Sequence, residues 1–198
     1  MWMWRAVPTV TRRHDVEPVD ARLRHHVNFE PLLWQSPPVE IIGLDHLYVT
    51  VSDLARAERF YDPVMEALGF RKGDTRIAGE PHAHYFNRVL QYTIRPAHRA
   101  GAHDPYAPGL HHVCFQVASE DAVREAHDRL RALGVDATPP RHHPEYNPDY
   151  YATFFTDPDG IRLEIVARTP YRDEVARRWE DFRTFVNPLA DLHDRTRR

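Results

Sequence analysis

Residues 44–51 read LDHLYVTV and residues 110–117 read LHHVCFQV. Laid over each other at an offset of 66, both are runs of apolar, aromatic and β-branched residues, and His46 falls on His112. Side chains alternate across a strand, so Leu47, Val49 and Val51 turn to one face and His46, Tyr48 and Thr50 to the other. The same parity groups His112 with His46 and sends His111 to the opposite face or the strand edge. Two strands of the same design, each presenting a histidine on its non-core face, imply a duplicated unit.

The duplication extends outward from both strands. Ser52 and Asp53 are N-cap candidates for a helix over LARAERFYDPVMEAL (54–68), whose stripe is Leu54, Ala57, Phe60, Tyr61, Val64 and Leu68. Pro63 predicts a kink or restart inside it, and Gly69 suits its end. In the second unit Ser119 caps EDAVREAHDRLRAL (120–133) and Gly134 ends it. ALGF (67–70) overlies ALGV (132–135), and VLQYTIR (89–95) overlies RLEIVAR (162–168). The first unit should add strands near 70–73, at 75–77 or 84–86, and over 88–94. The second should add one from Val135 to Ala137, then YYATFFTD and IRLEIVAR joined by the tight turn DPDG (157–160). The spare residues of the second unit fall near PPRHHPEYNPDY (139–150). The pattern is βαβββ twice, an α+β fold of mixed, mainly antiparallel sheets.

The boundaries follow from where this pattern starts and stops. Residues 1–40, with three Trp and the stretch QSPPVE, hold no period and read as an N-terminal extension. Residues 41–170 form the domain, with module one at 41–98 and module two at 108–168. Residues 171–198 make a C-terminal helix and tail, in which Val175, Trp179, Phe182, Val186 and Leu189 form a stripe expected to be buried. The modules are expected to pair within one chain or to exchange across a homodimer. One cysteine, Cys114, excludes an internal disulfide and fits a reducing, cytoplasmic setting. The net charge of −3 speaks against a nucleic-acid stripe, and no stretch is apolar enough for a signal peptide or a membrane span.

The repeat places four lone-pair donors at related positions: His46 with His112, and Gln91 with Glu164. Two imidazoles and a carboxylate suit a divalent metal such as Zn, Ni, Co, Mn or Fe. The fourteen histidines of the chain carry no weight by number alone, since Arg, Ala and Pro are abundant as well.

DHLYVTVSDL, LHHVCFQV and FFTDPDGIRLEIV together resemble the vicinal oxygen chelate superfamily, which includes glyoxalase I, fosfomycin-resistance transferases, extradiol dioxygenases and bleomycin-resistance proteins. The resemblance covers about residues 41–168 and is closest to glyoxalase-like members. It implies paired βαβββ modules forming a half-open eight-stranded barrel around a metal, with His46, His112 and Glu164 as ligands and Gln91 at the position of a fourth. A metal there would chelate a small substrate through neighbouring oxygens. Glu164 would serve as the general base of a lyase or isomerase, because Gln91 is neutral and can only hold or position. The two-His, one-carboxylate set also suits an Fe(II) extradiol-type dioxygenase. A non-catalytic small-molecule or drug-binding protein is the third reading. No phosphonate or potassium loop is recognisable, which sets thiol transfer behind these three.

Overall fold

Alternation in the first strand, β1 (His46–Val51), is as the sequence requires: Val49 and Val51 are buried, and His46, Tyr48 and Thr50 are exposed. The protein is described here by a computed structural model covering residues 40–99, 101–147 and 149–179. The N-terminal extension up to residue 39 lies outside the described residues, as do Phe182, Val186 and Leu189.

After β1, the Asp53 carboxylate accepts from the Arg56 amide and starts α1 (Leu54–Ala67). The helix runs unbroken through Pro63. Tyr61, Val64 and Met65, on both sides of the proline, are at most 1% exposed, so packing holds both halves against the loss of one backbone bond. Gly69 (φ +84°) follows α1 in the left-handed conformation, and Gly134 (φ +78°) does the same after the second long helix.

β2 (Arg71–Ile77) and β3 (Glu80–Phe86) form a hairpin whose two central residues, Ala78 and Gly79, both have positive φ. β4 (Gln91–Pro96) completes a sheet of order β1-β4-β3-β2, with β1 and β4 parallel and the other pairs antiparallel. The second module repeats this with β5 (His112–Val117), α2 (Glu120–Ala132), β6 (Arg141–His142), β7 (Tyr151–Thr156) and β8 (Arg162–Ala167), in the order β5-β8-β7-β6. No strand forms over 135–137. Pro139 and Pro140 cannot donate to a ladder, so Thr138 alone ties this segment to Phe154, and β6 starts only at Arg141. Two four-stranded sheets and their helices give an α+β fold built from one unit used twice.

Register corrects one equivalence. His46 pairs with Gln91 and Tyr48 with Thr93, whereas His112 pairs with Arg162 and Cys114 with Glu164. The positional equivalent of Glu164 is therefore Thr93, and that of Gln91 is Arg162. A shift of two residues keeps a side chain on its face, so alternation in the sequence cannot detect it. It moves the group one pleat along the strand, about 6.6 Å.

The modules share one core. Phe115 of β5 packs against Phe70 and Tyr92 of module one, beside Tyr61, Leu130, Leu163 and Ile165. The DPDG turn then clasps module one. Asp159 accepts from the Ser52 amide at 2.8 Å and pairs with Arg56, while Asp157 accepts from the Tyr61 hydroxyl at 3.0 Å. Asp157 Oδ1 also accepts from the amides of Asp159 and Ile161. Replacing Asp157 with Ala strips three donors of their acceptor in a buried place. It should cost about 2–4 kcal/mol, read as a lowered urea midpoint.

Burial raises the Asp157 carboxyl above its ordinary value, against the hydrogen bonds that lower it. A raised acid favours the folded state most below the unfolded value of about 4, and that contribution is lost as pH rises through the folded value. An Asp157→Asn variant should therefore lack this part of the pH slope in parallel urea titrations.

α3 (Thr169–Arg177) contains no buried residue, and Trp179, just beyond it, is 66% exposed. The stripe expected to bury Trp179 does not do so, whereas the Arg178 side chain is only 12% exposed. Trp179→Ala should shift stability by no more than about 0.5 kcal/mol in thermal unfolding.

Candidate metal centre

β5 and β8 lie side by side and parallel, and bring His112 and Glu164 together: Nε2 stands 3.5 Å from Oε2. Glu164 is 2% exposed. Tyr150, at the entry to β7, donates to its other oxygen, Oε1, at 2.5 Å. Burial and this bond raise the phenol above its ordinary value, so Tyr150 stays a donor. One carboxylate oxygen is thereby fixed, and the other is presented beside the imidazole.

Both candidate histidines are oriented by the residue before them. His46 Nδ1 is 2.8 Å from Asp45 Oδ2, and His112 Nδ1 is 2.7 Å from His111 Nδ1. His46 Nδ1 donates to the carboxylate and keeps its lone pair on Nε2, the arrangement that metal-binding imidazoles use, and His112 shares it in the tautomer whose Nδ1 donates to His111. Asp45 and His111 are repeat equivalents, so this orienting contact recurs in both modules with different chemistry.

His46 opens β1 opposite Gln91 in the other sheet. The Gln91 amide nitrogen donates to Thr93 Oγ1 at 2.8 Å and to His84 Nδ1 at 2.9 Å, which leaves its oxygen as the open lone-pair end. His84 stacks on His82 with ring centres 6.0 Å apart, and Tyr48 meets both rings edge-on. Both histidines are buried. Burial, then the neighbouring His82, lowers His84 below its ordinary value, so it is held neutral. Within one chain the structure thus brings His112 to Glu164 and Gln91 to His46. Among the described residues no group of three His, Cys, Asp or Glu side chains is placed to share a metal.

The second module adds what sequence reasoning did not assign. Cys114, the register partner of Glu164, is exposed as a residue, yet burial of its thiol and the Glu164 carboxylate push it up to about 12. It is therefore a thiol and not a thiolate in the metal-free protein. His143 is buried, stacks on Tyr146 and meets Tyr150 and Phe154 edge-on, forming an aromatic wall beside Glu164. Tyr150 was one tyrosine among several in a loop. Its parity with Phe154, which pairs with Glu164, was the available signal.

Comparison with known proteins agrees with this architecture. Over 126 residues, 64% of this chain and 75% of the relative, the chain is 28% identical to the metallothiol transferase FosB of Bacillus licheniformis. It is 29% identical over 128 residues to the uncharacterized protein YqjT of Bacillus subtilis, covering 63% of this chain and 98% of that one. A glyoxylase/bleomycin resistance protein/dioxygenase domain from Frankia sp. EAN1pec superposes with a TM-score of 0.55 at 26% identity, over 65% of this chain and 98% of the other. The family model for this group matches residues 43–165, and the chain belongs to the Glyoxalase/Bleomycin resistance protein/Dioxygenase superfamily.

Proposed function

We propose that this protein is a metal-dependent lyase or isomerase of the glyoxalase type, acting on a small substrate through two neighbouring oxygens. The ligands are His112 and Glu164 of one chain and His46 of the partner subunit, with Gln91 of the partner subunit as a fourth donor or the holder of a water. The observation that carries this reading is the His112–Glu164 pair, with Nε2 and Oε2 3.5 Å apart and the remaining atoms of both groups already engaged. Two donors do not complete a site, and His46 does not reach them in the same chain among the described residues. The exposed side chains His46, Tyr48 and Thr50 of β1, with Phe86 at the end of β3, support closure by a second copy into a half-open eight-stranded barrel.

A bound divalent ion would polarise the substrate carbonyl and stabilise charge that develops beside it. Glu164 Oε2 takes the proton from the carbon next to that carbonyl and returns it to the neighbouring carbon. Tyr150 keeps the carboxylate from turning while it does so. The wall of His143, Tyr146 and Phe154 keeps water from that side. Thr93, at the position equivalent to Glu164, has no titratable group, so that position supplies no second base.

The experiment is metal content and turnover measured together. Wild type should hold about one ion per chain and convert methylglyoxal–thiol hemithioacetals without consuming oxygen. Oxygen uptake with a catechol and bound iron would instead establish the dioxygenase reading. Absence of metal in protein reconstituted with Zn, Ni, Co, Mn and Fe would leave a binding protein.

A further inference from the structure

Arg168 ends the strand that carries Glu164. Leu163, Ile165 and Ala167 face the main core, and Val166 joins Tyr150, Ala152 and Phe154 on the other side. Arg168 follows this second parity: its guanidinium carbon lies 5.5 Å from the ring centre of Tyr150 and 4.6 Å from that of Tyr171 in α3. Tyr150 is the residue that holds Glu164. The Nε of Arg168 is buried without a hydrogen-bond partner, and among the described residues no carboxylate pairs with this side chain. Arg95 also holds a buried Nε without a partner, yet its guanidinium is answered by the Glu80 carboxylate.

A guanidinium flanked by ring faces keeps its in-plane N–H donors free for an acceptor of forked shape. Carboxylate and phosphoryl groups have that shape. An unanswered cation set against Tyr150, the side chain that holds the buried Glu164 carboxylate, is suited to a charge that arrives with a ligand.

We propose that Arg168 seats an oxyanion of the substrate, so that the protein takes small molecules with chelating oxygens at one end and a carboxylate or phosphoryl group at the other. The inference deepens the reading of His112 and Glu164 as ligands and rests on it.

The test compares glycerate with 3-phosphoglycerate, which share one 2-hydroxycarboxylate chelate, by titration calorimetry on the Mn-loaded full chain and on the metal-free protein. Wild type should bind the phosphorylated probe about 10- to 100-fold more tightly. In Arg168→Met that advantage should fall to about threefold or less with glycerate affinity and metal content unchanged, and Arg168→Lys should restore part of it. An equal advantage in wild type and Arg168→Met, or no binding of the phosphorylated probe to wild type, overturns the proposal. So does a loss confined to melting temperature, which makes Arg168 a fastener of α3. If wild type takes up no metal but still prefers 3-phosphoglycerate through Arg168, the metal reading fails and the oxyanion seat stands.

Discussion

Refolding equal amounts of His46→Ala and His112→Ala chains together should restore metal to about a quarter of the sites, although neither variant holds metal alone. In a site that takes His46 from one copy and His112 with Glu164 from the other, random pairing makes half of the dimers mixed. Each mixed dimer has one site with both imidazoles and one with neither. An intrachain site gives no such recovery, because every chain lacks one of its own ligands. The structure motivates the experiment: His112 meets Glu164, His46 meets Gln91, and no three-donor group forms in a single chain among the described residues. The measurement is bound metal after gel filtration, with each variant refolded alone as the control. Zero recovery, with dimers present, refutes the shared site.

Replacing Glu164 with Gln should lower turnover by about 10²- to 10⁴-fold and leave most of the metal bound. The amide oxygen can still accept from Tyr150, so the buried position stays satisfied on that side. It cannot take a proton from carbon. The contrast is with Tyr150→Phe, which keeps the base but leaves Oε1 bare at a residue that is 2% exposed. That variant should lose about 1–3 kcal/mol of stability and retain chemistry. Full turnover in Glu164→Gln would move the base elsewhere, and the buried pair His82 and His84 would be the next place to look.

Most of the fold was legible because its signals are local. The strand at 46–51, the caps at Asp53 and Ser119, and the glycines after both long helices each rest on a few neighbouring residues. The parts that were not legible depend on distant partners. Short strands near 70–73 and at 75–77 or 84–86 were legible, but not the union of the first two into one strand hairpinned to β3, because β2 is polar and almost wholly exposed and Ala78–Gly79 is a weaker turn signal than Asn-Gly. The two-residue register difference between the modules arises from pairing across the sheet and leaves face parity untouched. Trp179, expected to be buried in a helical stripe, is exposed just beyond α3, because periodicity shows which residues share a face and not whether anything covers that face.

The candidate centre was legible to a similar depth. His112 and Glu164 followed from parity and spacing. Asp45 and His111, which orient the imidazoles, are adjacent in sequence and yet carry no pattern of their own. Tyr150 reaches Glu164 only through the loop before β7, and Arg168 acquires its setting from an aromatic residue on each side.

The register difference bears on the handedness of the product. A duplicated fold with carboxylates at both equivalent positions could reach a planar carbon from either side and would let the product racemise. Here one of the two positions holds Thr93, whose hydroxyl is tied to His84 and Gln91. As the proposed base, Glu164 would deliver its proton from one side of the plane only. The product should be a single enantiomer, and in heavy water any deuterium taken from solvent should sit at its new stereocentre alone.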